Sequence, residues 1–404
     1  MKILHTADWH IGKQLHRYGL DDDHALFLDW LAALIQERQI DLLLVSGDVF
    51  DTANPSNASL AQYYGFLKQL IGTGCQVIVT GGNHDSPGVL NAPRELLRFL
   101  DVKVVGCISN DLSDELIHVQ TPRGELVVGA VPYLREIDLR RSASGQGYDE
   151  RVALVRQGIR QHYQALADLK HEQFKNLPSI AMGHLYVNGA TVSESEREIH
   201  VVGGEAAFSS EHFPAGFDYT ALGHIHRPQR IGNSDFTRYC GSPIMLSFSE
   251  REDAKLVLEL TLENDKITQI MPLPVPKFRE LRSFKGSLDE VWADLQAYAP
   301  TAPLEALVEV RVEEPNFDPQ IELNFELLKQ EFAQSPFKII SPRIAYSNRL
   351  RGADELFVIG TAIQDLAETE VFEKRLLAEN LDEATRQTLL EAFGELLQEV
   401  QESN

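Results

Sequence analysis

Short apolar runs, each too brief for a helix, recur along the chain: Lys2 to Thr6, Asp41 to Ser46, Gln76 to Thr80, Ser179 to Met182 and Tyr219 to Leu222. Bounded by turn residues, runs of this length predict buried strands. Between the first three lie Leu26 to Ile35 and Ala58 to Ile71, whose apolar residues fall at helical spacing. Strand, helix, strand in that order predicts βαβ units and a mainly parallel sheet with right-handed crossovers. Leu126 to Val131, Ile199 to Val202 and Leu256 to Leu262 follow with fewer intervening helices. They predict a second, more antiparallel sheet packed on the first, so the fold class is α/β, a layered sandwich.

Pro272, Pro274 and Pro276 interrupt the pattern and mark the first expected linker. Beyond them the periodicity predicts a strand over 279–285, a helix over 288–298, a strand over 307–312, a helix over 321–332 and a strand over 337–345. These make a small α/β domain. The expected division is a main domain over 1–275, a small domain over 276–347, a linker over 348–365 and a helix pair over 366–404, parted at Asn380 and Leu381. In the last helix Leu389, Leu390, Phe393, Leu396, Leu397 and Val400 form an apolar stripe. Such a stripe packs on its own protein or docks a partner, and its place at the chain end after a polar stretch favours docking.

Each of the five apolar runs in the first 226 residues ends on a side chain able to bind metal: Asp8-Trp9-His10, Gly47-Asp48, Gly82-Asn83-His84-Asp85, Gly183-His184 and Gly223-His224-Ile225-His226. Ligands of open α/β sheets bind beyond the carboxyl ends of the strands, so the five loops are expected to converge. Taken singly, Asp8 or Asp48 could cap a helix, and His184 could be a hydrogen-bonded core residue. In Gly-His-Ile-His, alternate residues of an extended segment project to the same side. The ordered set is far more specific than its parts. Carboxylates, an amide and imidazoles suit manganese, iron or zinc better than calcium. Two such ions sharing a bridging carboxylate form a hydrolase site in outline.

The 404 residues carry a formal net charge of −23, which argues against an autonomous nucleic-acid binder. Divalent cations reverse the local potential, so any grip on DNA is expected to need metal and a partner. No apolar run reaches the roughly 20 residues of a membrane span, and Met1-Lys2 leads straight into a strand, so an intracellular, cytoplasmic protein without membrane contact is expected. Cys75, Cys107 and Cys240 are odd in number and widely spaced, as suits buried thiols in a reducing compartment.

The series Asp-X-His, Gly-Asp, Gly-Asn-His-Asp, Gly-His and Gly-His-X-His resembles the calcineurin-like metallophosphoesterase superfamily. The stretches His5 to Gly12, Gly47 to Asp51 and Tyr239 to Pro243 are similar to its branch of DNA-end-processing nucleases. That resemblance implies a nuclease, exonucleolytic on double strands and endonucleolytic on single strands and hairpins. It assigns Asp8, His10 and His226 to one divalent metal ion, with manganese as the expected metal. Asn83, His184 and His224 go to the other ion, and Asp48 to the bridge. His84 becomes the proton donor to the leaving oxygen, a role suited to imidazole. The position of Asp51 is usually histidine in archaeal and eukaryotic relatives, so a second active-site histidine does not carry over.

The branch further implies a homodimer through core helices, for which Asn57 to Ile71 and Ala92 to Phe99 are candidates, although their apolar faces could equally be core. It implies an ATPase partner docked by the C-terminal helices, and DNA as substrate. Arg135, Arg140, Arg141 and Arg227 are candidates for phosphate contacts or for solvated surface charge. The alternative within the superfamily is a small-molecule or cyclic-nucleotide phosphodiesterase. A protein phosphatase fits less well, because Gly47 to Thr52 lacks the arginine such enzymes carry just after this motif.

Overall fold

The computed structural model describes residues 1–139, 148–193, 213, 216–232, 234–347, 372, 376 and 383–402. Strands β1 (Lys2–Thr6), β2 (Leu42–Ser46), β3 (Gln76–Thr80) and β4 (Val102–Val105) alternate with helices, among them α1 (Asp21–Arg38) and α2 (Asn57–Gln69). Next come β5 (Leu116–Thr121), β6 (Gly124–Ala130), α3 (Tyr148–Gln173), β7 (Ser179–His184), β8 (Tyr219–Gly223), β9 (Gln229–Arg230) and β10 (Thr237–Tyr239). A long hairpin, β11 (Leu256–Glu263) and β12 (Lys266–Pro274), completes the set.

These strands form two six-stranded sheets, in the orders β12-β11-β1-β2-β3-β4 and β9-β10-β8-β7-β6-β5. Alternation along the strands sorts their side chains into layers. Ile3, Leu42, Leu44 and Ile78 of the first sheet share a core with Val128, Ile180, Met182 and Tyr219 of the second. The other face of the first sheet, with Leu43, Val45 and Val77, packs on Phe27, Leu31 and Phe66 of α1 and α2. Val127, Ala181 and Leu222 of the second sheet pack on Ile159, Tyr163 and Leu166 of α3. Strands buried on both faces read as continuous apolar runs, which is why the sequence marks them so clearly.

Two expectations need correction. The second sheet is not the more antiparallel one, since β6, β7, β8 and β10 run parallel and antiparallel pairing occurs at its edges. The long connection through α3 supplies a parallel crossover between β6 and β7. Leu256 to Leu262 joins the first sheet instead, antiparallel to β1. The prolines at 272 and 274 are not linker residues, because both lie within β12, opposite Leu258 and Leu256. An edge strand tolerates residues that donate no hydrogen bond. Ile199 to Val202 lies outside the described residues.

The chain separates into two compact units, the first made of Met1–Ser283, Ala299–Glu309 and Phe332–Ser341 and the second of Phe284–Tyr298, Val310–Glu331 and Pro342–Asn404. The five elements expected after Pro276 are present as β13 (Leu281–Gly286), α4 (Leu288–Ala297), β14 (Ala306–Glu314), α5 (Pro319–Glu331) and β15 (Phe337–Tyr346). A capping box between Ser287 and Glu290 starts α4. The last helix is α6 (Glu383–Glu402), where Phe393 stacks on Phe372 with ring centres 3.9 Å apart. The expected linker over 348–365 and nearly all of the first C-terminal helix, with Asn380 and Leu381, lie outside the described residues. Cys75 and Cys240 are buried thiols as expected, whereas Cys107 is half-buried. No helix among the described residues is long and apolar enough to cross a membrane.

Candidate metal centre

Beyond β1 the chain turns through Asp8 and His10 at positive φ, 53° and 49°; Asp48 does the same at 50° after β2, and His224 at 97° after β8. Each such residue costs roughly 1–3 kcal/mol, and strain of this kind collects at functional sites. Hydrogen bonds between neighbouring loops hold it in place. Asp8 N donates to Gly47 O (3.1 Å), His10 N to Asp48 O (2.9 Å) and Ile11 N to Val49 O (2.9 Å). The loop after β3 is fastened by Asp85, whose Oδ2 accepts from Gly82 N (2.9 Å) and Val49 N (3.1 Å) and whose Oδ1 accepts from Phe50 N (2.9 Å). Gly82 allows this approach, since a Cβ there would strike both the carboxylate and the amide of Asp48. Gly47, at φ 82°, likewise makes room for the His184 ring.

All eight residues singled out in the sequence come together. Asp8, His10 and His226 offer donor atoms within 4.8 Å of one another, as do Asp48, His184 and His224, and as do His10, Asp48 and His84. Asn83 joins the second group, with Oδ1 2.9 Å from His184 Nε2 and 3.0 Å from His224 Nδ1. Asp48 Oδ2 stands between the groups, 3.4 Å from His10 Nε2 and 3.2 Å from His184 Nε2. The two histidines of Gly-His-Ile-His do not behave as alternate residues of a strand. Because β8 ends at Gly223 and His224 turns at positive φ, they enter different groups.

His84 is placed differently from the buried donors. It is half-buried, its amide donates to Asp48 Oδ1 (2.9 Å) and its Nδ1 lies 2.8 Å from Asp51 O. A carbonyl can only accept, so Nδ1 carries a proton there and Nε2 is the atom able to serve a ligand.

The electrostatics are those of a cation site. Burial pushes the Asp8 carboxyl up to about 6 against the pull of His184 and His226. It pushes His10 down to about 4, outweighing Asp51. Burial also disfavours charge on Asp48 and His184, but their mutual attraction wins. Asp48 is held well below the usual carboxylate range, and His184 is raised. Among the described residues no lysine or arginine pairs with Asp8 or Asp48. Asp8 Oδ2 and His10 Nε2 are buried with no hydrogen-bond partner, a condition that costs about 1–3 kcal/mol per group in an ordinary core. Oxygen and nitrogen donors around orphaned buried atoms fit divalent metal ions.

Sequence reading gave no role to three supporting residues. Asp85 stood inside a quoted motif. His24 on α1, with Nε2 2.8 Å from Trp9 O and Nδ1 2.7 Å from Leu20 O, steadies the Asp8 to His10 turn. Glu250 backs His226 at 3.3 Å and has no local signature at all. Of the arginines considered for phosphate contacts, Arg135 pairs with Asp138 and Arg227 with Asp253. Arg140 and Arg141 lie outside the described residues.

A two-sheet sandwich with buried carboxylates, an amide and imidazoles at its strand ends defines a metal-dependent phosphoesterase. The family described as calcineurin-like phosphoesterase matches residues 1–228, and that described as type 5 capsule protein repressor C-terminal domain matches residues 277–380. The D subunit of the nuclease SbcCD from Escherichia coli strain K12 is 34% identical over 404 residues, covering 97% of this chain and 97% of that protein. Its namesake in Bacillus subtilis strain 168 is 38% identical over 270 residues, covering 64% and 65%. That of Rhodobacter capsulatus is 35% identical over 312 residues, covering 74% and 76%. The chain belongs to the calcineurin-like phosphoesterases, in the family of SbcCD nuclease D subunits.

Proposed function

We propose that the chain is a metal-dependent DNA nuclease, exonucleolytic on double strands and endonucleolytic on single strands and hairpins. It works with the SbcC ATPase in DNA-end processing, recombination and repair. The observation that carries the reading is the likeness to a named component of the SbcCD nuclease over 97% of the chain, together with eight converging site residues. In this reading Asp8, His10 and His226 would hold one manganese ion, Asn83, His184 and His224 would hold the other, and Asp48 would serve both. When bound, the ions supply Lewis acidity and an activated nucleophile. The chain's own part is to place the phosphodiester and manage protons. His84 contributes Nε2, with Nδ1 committed to Asp51 O, and gives a proton to the departing deoxyribose oxygen.

The reading also takes residues 1–275 as the nuclease domain, 276–347 as the cap, 348–365 as a linker and 366–404 as the docking segment for SbcC. In support of docking, Leu389 and Leu396 on α6 are exposed. A homodimer is supported by the helix Arg94–Arg98 and its continuation, where Leu96, Phe99 and Leu100 stand in solvent at i, i+3 and i+4 spacing. The reading places the chain in the cytoplasm, where chromosomal DNA ends would be processed.

The test is cleavage of a labelled DNA hairpin by the purified chain with manganese, with and without SbcC and ATP, beside Asp48→Ala. Cleavage that the substitution abolishes and the partner enhances is the expected result. Hydrolysis of a small phosphodiester with DNA untouched under every condition would overturn it in favour of a phosphodiesterase.

A further inference from the structure

Within the centre, His10 and His226 are held from behind by side-chain carboxylates, and both belong to the same group of donors. His10 Nδ1 lies 3.1 Å from Asp51 Oδ1, and His226 Nδ1 lies 3.3 Å from Glu250 Oε1. Each carboxylate meets a lysine in turn. Lys13 Nζ is 3.2 Å from Asp51 Oδ1, and Lys255 Nζ is 2.6 Å from Glu250 Oε2. Glu250 is fully buried and accepts further bonds from Ser242 Oγ, Ser247 Oγ and Leu246 N, each at 3.2 Å. The amide of Asp51 donates to Ile11 O at 3.2 Å. On the other side of the centre, His184 Nδ1 faces a backbone carbonyl, Ser46 O, at 2.9 Å.

A carboxylate has no proton to offer, so Nδ1 of each backed ring carries the hydrogen and the Nε2 lone pair points forward. Hydrogen bonds to a charged acceptor are about twice as strong as neutral ones, and they raise the basicity of the opposite nitrogen. The same carboxylate and lysine arrangement, built twice from distant parts of the chain, serves one group of donors.

We propose that Asp51 and Glu250, each fixed by its lysine, are positioning residues that hold His10 and His226 for one divalent cation. The proposal rests on the ligand assignment above. Asp51 has a second task, because its backbone oxygen receives the Nδ1 proton of His84. One residue therefore links the metal position to the proton donor.

The experiment is a manganese titration of the full chain, following free Mn²⁺ by electron paramagnetic resonance, for the wild type, Asp51→Asn and Glu250→Gln. The expected result is that one of two bound ions weakens about 10- to 100-fold in each variant while the other keeps its affinity. A purely structural role would instead lower the melting temperature of the metal-free chain and move both ions together. Because Glu250→Gln leaves Lys255 buried beside a neutral group, Glu250→Gln with Lys255→Met is titrated alongside it, and the expected shift is the same. Two ions bound with unchanged affinities, or both weakened equally, would overturn this proposal alone. A wild-type chain that binds no manganese would overturn the ligand assignment with it.

Discussion

The strand-end loops and the C-terminal helix break the usual rule of burial in opposite directions. In the loops, Asp8, His10, Asp48, His184, His224 and His226 are all buried, on a backbone that is partly left-handed. On α6, Leu389 and Leu396 are exposed at 38% and 57%. Folding alone favours neither arrangement. Burying ionisable groups costs several kcal/mol each unless they are paired or bind metal. An exposed leucine forgoes about 1.5–3 kcal/mol of burial. In the reading proposed above, cations complete the first region and an apolar partner surface the second. The difference teaches that a buried ionisable group without a partner demands a ligand, whereas an exposed leucine becomes informative only when a partner is shown to cover it.

The sharpest way to break the comparison is at Asp48, which touches both groups of donors. Asp48→Ala is expected to reduce manganese-dependent cleavage by at least about 10³-fold and to abolish the rise in melting temperature that bound manganese would give the wild type. A ligand that binds only the folded state stabilises it by about 2.7 kcal/mol at a hundred times its dissociation constant. Differential scanning fluorimetry with manganese and with a chelator reads the second effect. An unchanged metal-dependent shift would remove Asp48 from the centre.

The next effect separates binding from chemistry. His84→Ala is expected to keep the metal-dependent melting shift and lose about 10²- to 10⁴-fold in cleavage rate, the usual contribution of a positioned acid. Both are measured on the same preparation. A variant that lost its metal as well would make His84 a ligand, as its nearness to His10 and Asp48 allows.

At the other region the expected change is smaller and leaves the chemistry alone. Leu389→Glu with Leu396→Glu is expected to weaken SbcC binding by about 10- to 100-fold, as the loss of about 1.4–2.7 kcal/mol of apolar contact implies. Hydrolysis of a small phosphodiester by the same variant stays at the wild-type rate. Surface plasmon resonance gives the first and a colorimetric assay the second. Undiminished SbcC binding would move the docking surface off this stripe.

What the sequence made legible follows the same division. Strand ends could be read because a doubly buried strand is a short apolar run, and the Gly-Asp, Gly-Asn-His-Asp and Gly-His turns that stop it carry the donors themselves. That the eight residues meet at one place follows from that coincidence, whereas their division between two metal ions and the role of His84 came from the family resemblance. The sheet to which Leu256 to Leu262 belongs was not legible, because alternation reports a buried face without naming the neighbour. Proline at 272 and 274 signals missing donors, and an edge strand satisfies that as well as a linker does. Glu250 and Asp51 were illegible as supports. A carboxylate behind a histidine leaves no periodicity, and Glu250 reaches His226 through a turn that only tertiary structure closes.

The smallest expected effect on stability is also the one that tests whether exposed apolar groups mean a partner at all. Leu97 is buried and anchors the short helix to the core, while Leu96 and Phe99 are exposed at 68% and 87%. Replacing residues that already stand in water removes little burial, so Leu96→Glu with Phe99→Glu is expected to change the monomer's stability by no more than about 0.5 kcal/mol. If the same face joins two copies, two carboxylates brought against their symmetry mates must desolvate and repel, and the dimer dissociates. Sedimentation equilibrium then shows a monomer where the wild type shows a dimer, with denaturant midpoints unchanged. A large fall in the midpoint would show that the face belongs to the chain's own core. A dimer that survives intact would place the contact elsewhere, and the exposed pair would then be ordinary surface, since isolated apolar residues in water need no explanation.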